Sequence, residues 1–211
     1  RSFNGNDYDA VTVAYNSSGT LLWTATFDGG VGGDDYAHGI AINQNTGEVY
    51  VCGQSFNGGN FDMILISYDS GGNEQWVTPR SENGLDDVAY AVAVDSNDNI
   101  IVGGSSDGGG DTDFIVVRFD SGGGEDAVWL QDQSQGDAVY ALALDSSDNV
   151  YITGVADDGG GDANLYAAFI NGGGFGTASQ RNYDFAGGND VGNAITVDAS
   201  GNAYIAGTSD N

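Results

Sequence analysis

The feature that most constrains this chain is a unit written four times. "DYAHGIAIN", "DVAYAVAVD", "DAVYALALD" and "DVGNAITVD" open at Asp35, Asp87, Asp137 and Asp190, separated by 52, 50 and 53 residues. A period near fifty has the length of a propeller blade and exceeds that of the common helical repeats. Inside the second unit, four runs alternate or carry β-branched residues: "AYAVAV", "IIVGGS", "DFIVVRF" and "AVWLQD". They are joined by Asp-, Ser- and Gly-rich turns, and no segment has a helical period. Four antiparallel strands per unit, repeated radially, predict an all-β β-propeller.

The two ends of the chain each hold half a unit. After Asp190 only the first two strands remain, whereas residues 1–34 begin at the third. "AGTSDN" followed by "RSFNGNDYDAV" parallels the internal "CGQSFNGGNFDMI". The expected architecture is therefore a single four-bladed propeller of four-stranded blades at 35–86, 87–136, 137–189 and 190–211 joined with 1–34. The composite blade would remove two open sheet edges. The chain opens on Arg1 and shows no signal-type segment, so a processed product or a piece of something longer is expected.

"DDVAYAVAVDSNDNIIVGGSS" and "DAVYALALDSSDNVYITG" resemble the short bacterial and archaeal β-propeller repeat known as SBBP, whose units run as "A-x-I-A-V-D-x-x-G-N-x-Y-V-x-G". The resemblance spans essentially the whole chain and implies a secreted or surface-exposed propeller, usually without an assigned reaction; it also suggests more than four blades, so a ring of two chains with eight blades is the alternative. The first unit departs from the pattern with "NQNTGEVY", and the third lacks a Trp to match Trp23, Trp76 and Trp129.

Charge narrows the partners. The 31 acidic residues, all Asp except Glu48, Glu74, Glu82 and Glu125, face four Arg and no Lys. Such a surface repels nucleic acid and anionic membranes, and no apolar run is long enough to insert into a bilayer. It suits a protein or glycan partner, further copies of the chain, cations, or a saline medium. Asp also suits turns, which accounts for much of its number. The single Cys52 excludes an internal disulfide and sits where a strand interior is expected, as a buried inert thiol.

Two sets of residues could carry function. Three positions after each opening Asp stand His38, Tyr90, Tyr140 and Asn193, one per blade and all at the start of the inner strand. They would either line a ligand site at the channel mouth or have drifted with satisfied side chains. The second set is acidic. Loops between second and third strands hold Asp7, Asp9, Asp62, Asp111, Asp113 and Asp162, with Asn60 and Asn164 at matching places. In a propeller these share a face with Asp35, Asp87, Asp137 and Asp190. Hard oxygens on Gly-rich loops suit Ca²⁺, the one cofactor expected here. The competing reading has each Asp capping backbone N–H groups of its own blade. The Trp residues are expected to lock neighbouring blades.

No nucleophile elbow, phosphate loop or paired-Cys metal motif is present. The chain reads as an extracellular or cell-surface, non-catalytic binding, adhesion or assembly module. The alternative is a glycan-active enzyme or lectin working on the acidic face.

Overall fold

The computed structural model describes residues 1–210 apart from 133, 134, 158, 173, 174 and 186, and omits the side chains of 135, 177 and 178. Asn211, the last residue of the expected joined blade, lies outside the described residues. Among the described residues every regular element is a strand. The first sheet holds β1 (Ser2–Phe3), β2 (Tyr8–Tyr15) and β3 (Leu21–Phe27). Three complete four-stranded sheets follow, each meandering in chain order. They are β4 (Asp35–Ile42), β5 (Val49–Phe56), β6 (Phe61–Tyr68) and β7 (Glu74–Arg80); then β8 (Asp87–Val94), β9 (Ile100–Asp107), β10 (Thr112–Phe119) and β11 (Glu125–Gln131); then β12 (Gln135–Leu144), β13 (Val150–Asp157), β14 (Ala163–Asn171) and β15 (Gly176–Tyr183). A last pair is β16 (Asp190–Val197) with β17 (Ala203–Ser209).

The core lies between sheets. Tyr50, Cys52, Met63 and Leu65 of the second sheet pack on Ile100, Val102, Ile115 and Val117 of the third. On the opposite face of the same strands, Val51, Ile64 and Ile66 meet Ala25 and Phe27 of the first. The period of two thus sends alternate residues into two different interfaces, which is why the middle strands are apolar on both sides. Phe114 stacks on Tyr166 across the next interface at 4.0 Å between centroids, and both are fully buried. Each such side chain contributes about 1.5–3 kcal/mol of burial. Burial also pushes the Cys52 thiol up to about 12, so it is inert packing.

The outer-strand Trp residues couple neighbours, as expected. Trp23 donates its indole N–H to the Ser70 carbonyl at 3.1 Å and lies over Gly72, where a Cβ would come within 2.5 Å of the ring. Trp76 covers Gly123 in the same way. Trp129 is placed differently: it pairs opposite Val116, whereas Trp76 pairs opposite Ser67, so it sits two residues further along its strand. Being on the same strand face, it still enters an intersheet core, with Phe175.

The expected joining of the termini is not formed. β17 is hydrogen-bonded to β16, β2 to β1 and β3, and no register links β17 to β2 among the described residues. One end of the place beside β2 is taken by β1. Ser2 and Phe3 pair with Asp9 and Tyr8 just as Ser55 and Phe56 pair with Asp62 and Phe61. The chain's own start therefore occupies the place that Ser209 would take.

One contact recurs in every repeat and sets the inner strands. A Cβ on Gly53, Gly104, Gly154 or Gly207 would lie 1.8, 1.9, 1.8 or 2.1 Å from the carbonyl oxygen of Tyr36, Val88, Ala138 or Val191 in the strand beside it. Gly104→Ala should therefore cost about 3 kcal/mol or more, read as a fall in Tm of roughly 6–12 °C. Gly110→Ala, with nothing within 4 Å of its Cβ, should change Tm by no more than about 2 °C.

Candidate functional site

Those four carbonyls lie two residues before a break in register. The pairing of β4 with β5 skips between Ala37 and Gly39, β8 with β9 between Ala89 and Ala91, β12 with β13 between Val139 and Ala141, and β16 with β17 between Gly192 and Ala194. The skipped residues are His38, Tyr90, Tyr140 and Asn193. Each candidate mouth residue is thus the extra residue of a β-bulge, a device that re-aims a side chain. Three of them form a continuous row: His38 lies 5.5 Å from Tyr90, and Tyr90 lies 5.2 Å edge-on from Tyr140, between ring centroids. Tyr36 extends the row, parallel to His38 at 6.2 Å, and Arg1 covers Tyr36 and Tyr8 at 5.3 and 4.2 Å. Asn193 holds the same bulge in the last pair and is exposed. Desolvation holds the His38 imidazole below its ordinary range, with a hydrogen bond to Gln54 acting against it.

The opening Asp residues are buried: Asp35 is 1% exposed, and Asp87, Asp137 and Asp190 are 0% exposed. Each accepts a backbone N–H: from Gly29 at 2.7 Å, Glu82 at 2.6 Å, Asp157 at 3.2 Å and Phe185 at 2.7 Å. The residue before three of the four anchors was missed by sequence reasoning, yet Asp34, Asp86 and Asn189 accept the N–H of Tyr8, Phe61 and Ala163 in the preceding sheet at 3.0, 2.8 and 3.0 Å. Its signal is a short polar side chain beside the repeated Asp.

The remaining acidic candidates diverge. Asp9 and Asp35 come together with Asp28, their ligand oxygens all within 4.8 Å of one another, and Asp111 and Asp113 do so with Asp132. Neither Asp28 nor Asp132 was among the expected residues. Asp62 instead accepts the side-chain amides of Asn57 and Asn60 at 3.0 and 3.2 Å. Asp7 is buried with its Oδ1 lacking a donor, and Asp162 is exposed. Many other Asp side chains cap turns, as Asp95, Asp145 and Asp198 each do by accepting two backbone N–H groups.

The all-β architecture of radially packed antiparallel sheets defines a propeller-like repeat protein. The Beta-propeller repeat family, SBBP, matches residues 175–211, which span β15 to β17, so the chain carries the repeat that its motifs resemble. No curated protein matches the sequence. Among solved structures, the chain is similar to a protein of unknown function from Bacteroides caccae, with TM-score 0.58 at 12% identity over 96% of this chain and 71% of that one. A protein of unknown function from Dyadobacter fermentans gives TM-score 0.53 at 13% identity over 93% and 66%. A streptogramin B lyase gives 0.51 at 13% over 80% of this chain and 47% of its own length, so the chain spans about half of the lyase. At such identities the likeness is one of fold.

Two groups of carboxylates should titrate in opposite directions. Burial, and then the charges of Asp28 and Asp9, raise the Asp35 carboxyl above its usual range; burial likewise raises Asp87. Hydrogen bonds from Asn202 hold Asp198 at about 2, and those from Asn73 lower Asp69. A raised carboxyl binds its proton more readily in the folded state, so acidifying through its folded pKa stabilises the fold. A lowered one contributes stability above the unfolded value near about 3.9 and loses it below. Tm should therefore rise as the pH is lowered from neutral toward the usual carboxylate range and fall again as it drops from there toward about 2, where Asp198 titrates. A Tm falling steadily from neutral pH would contradict this.

Proposed function

We propose that this chain is a non-catalytic binding module of the propeller type, acting at the cell surface or outside the cell, whose ligand meets the row Tyr36–His38–Tyr90–Tyr140. The observation that carries the reading is the placement of all four mouth residues on bulges. The backbone device is the same in each repeat, while the side chain it presents differs: imidazole, phenol, phenol, amide. Aromatic rings in a row, with phenol and imidazole tips, suit a neutral glycan or the apolar and cationic groups of a peptide. The surrounding carboxylates disfavour an anionic ligand. Tyr90→Ala with Tyr140→Ala should weaken binding on a glycan or peptide array at least tenfold with Tm preserved to within a few degrees, since each stacking contact contributes about 0.5–1.5 kcal/mol beyond burial. An array without hits for the intact protein argues against the reading.

A second reading, assembly, rests on the two open edges. Ile40 and Ile42 are 61% and 48% exposed, whereas their counterparts Val92 and Val94 are covered by the core that includes Tyr50 and Cys52. The residues matching Tyr50 and Cys52 in β17 are Tyr204 and Ala206, and Tyr204 is 57% exposed. A groove of about 290 Å³ lined by Val13, Trp23, Ile40, Ile42 and Val49 lies beside the open edge of β2. A second copy that sets β17 against β2 would complete the split blade. Its register would follow the pairs Val49↔Tyr68 and Ser55↔Asp62, placing Ala203 opposite Tyr15 and Ser209 opposite Asp9 in place of Ser2. Light scattering should show association that grows with concentration and disappears in Ile40→Lys/Ile42→Lys. A chain that is monomeric at every concentration excludes this arrangement.

A further inference from the structure

The seams between successive sheets repeat the same three places with different chemistry. At the first, Asp9 precedes the pair Ala10↔Phe27, Asp28 follows it, and Asp35 opens the next sheet. At the second, the corresponding pair Met63↔Arg80 gives Asp62, Ser81 and Asp87. At the third, Phe114↔Gln131 gives Asp113, Asp132 and Asp137. At the fourth, Leu165↔Tyr183 gives Asn164, Asp184 and Asp190. The second seam carries its own cation, because the Arg80 guanidinium, 10% exposed, acts on Asp87. The first seam puts a third carboxylate where the second has Ser81.

We infer that the first seam binds a divalent cation of calcium size through Asp9, Asp28 and Asp35. The site is built, since Asp9 and Asp35 are 7% and 1% exposed. Asp35 accepts the Gly29 N–H with Oδ2; its buried Oδ1, like those of Asp87 and Asp190, has no donor at full hydrogen-bond geometry, with the Ser55 hydroxyl as its neighbour, and among the described residues only at the first seam do two further carboxylates, those of Asp9 and Asp28, stand against it. A Cβ at Gly29 would stand 3.0 Å from that oxygen and 2.3 Å from the Ser55 hydroxyl, so only glycine leaves room beside it. The three carboxylates each offer an oxygen within 4.8 Å of the other two, close enough to share one ion, and an all-oxygen, all-carboxylate set is what Ca²⁺ takes at about 2.4 Å. Three carboxylates also exceed the ion's charge, so it would relieve repulsion between β2, the β3–β4 loop and β4. This site is separate from the aromatic row, and its failure leaves the ligand-binding reading untouched.

The test uses Asp132→Asn as background, so that the third seam does not contribute. At constant ionic strength, Ca²⁺ at a hundredfold excess over its Kd should raise Tm by about 5–10 °C. Adding Asp28→Asn should abolish that shift and raise the metal-free Tm, because one of the crowded charges is removed. Tb³⁺ luminescence sensitised by the nearby tyrosines, titrated on the unmodified chain and on Asp28→Asn alone, provides a readout independent of unfolding. The former should give the stronger signal, with Ca²⁺ displacing the ion. A Tm shift that survives Asp28→Asn, or one matched by KCl of equal ionic strength, overturns the inference.

Discussion

The structure depends on the close approach of a glycine in each second strand to a carbonyl in the first. Gly53, Gly104, Gly154 and Gly207 each face a backbone oxygen that no Cβ could tolerate. That clearance lets the inner strand swing one residue out of register. The extra residue it releases is His38, Tyr90, Tyr140 or Asn193. Glycine at this point of the repeat is therefore tied to what the inner strand displays. The scaffold fixes where the side chain points, and the residue type is left free to vary.

Polar contacts between sheets hold that scaffold in register and explain much of the acidity. Above the core, Asp34, Asp86 and Asn189 reach back to the start of the third strand in the preceding sheet. On the opposite side, Asp98 accepts the amides of Asn43 and Asn45, both at 2.9 Å, and Asp148 accepts the N–H and hydroxyl of Ser96 at 2.9 and 2.5 Å. Asp98 and Asp148 have φ of 65° and 60° where the matching turns have Gly47 and Gly201 at 79°. The left-handed turn position is thus given to a residue that also reaches the neighbouring sheet, at a modest conformational cost that Asp tolerates better than most. Each of these carboxylates serves a local purpose, and they are among the 31 acidic residues that, against four Arg, give a net charge of −27.

The sequence made the repeat and the strands of each unit legible, because period, turn chemistry and alternation are local signals. The bulged positions were also legible, since they stand at a fixed distance from Asp35, Asp87, Asp137 and Asp190. What was not legible depends on contacts between strands. Asp28 and Asp132 belong to the outer strand's exit loop, and only pairs such as Ala10↔Phe27 and Phe114↔Gln131 show that they approach Asp9 and Asp113. Trp129 looks equivalent to Trp76 in one dimension but pairs two residues away. The joined terminal blade is not formed in the structure, where β1 takes the end position that "SDN" and "RSF" both match.

The same logic separates the seams. An interface between twisted sheets must neutralise or solvate whatever its repeat buries, and a buried carboxylate without a counter-charge is costly. Three solutions coexist in one chain. The second seam brings Arg80, which also pairs with Glu125 at 2.8 Å and with Glu82. The fourth replaces one carboxylate by Asn164, keeping the shape and dropping the charge. The first keeps all three carboxylates, with Asp35 and Asp9 shifted toward protonation by burial and then by their neighbours' charge. Because the backbone around them is the same repeated frame, these differences reflect side-chain chemistry alone. A repeat protein can in this way change the electrostatics of one seam without disturbing the fold that carries the others.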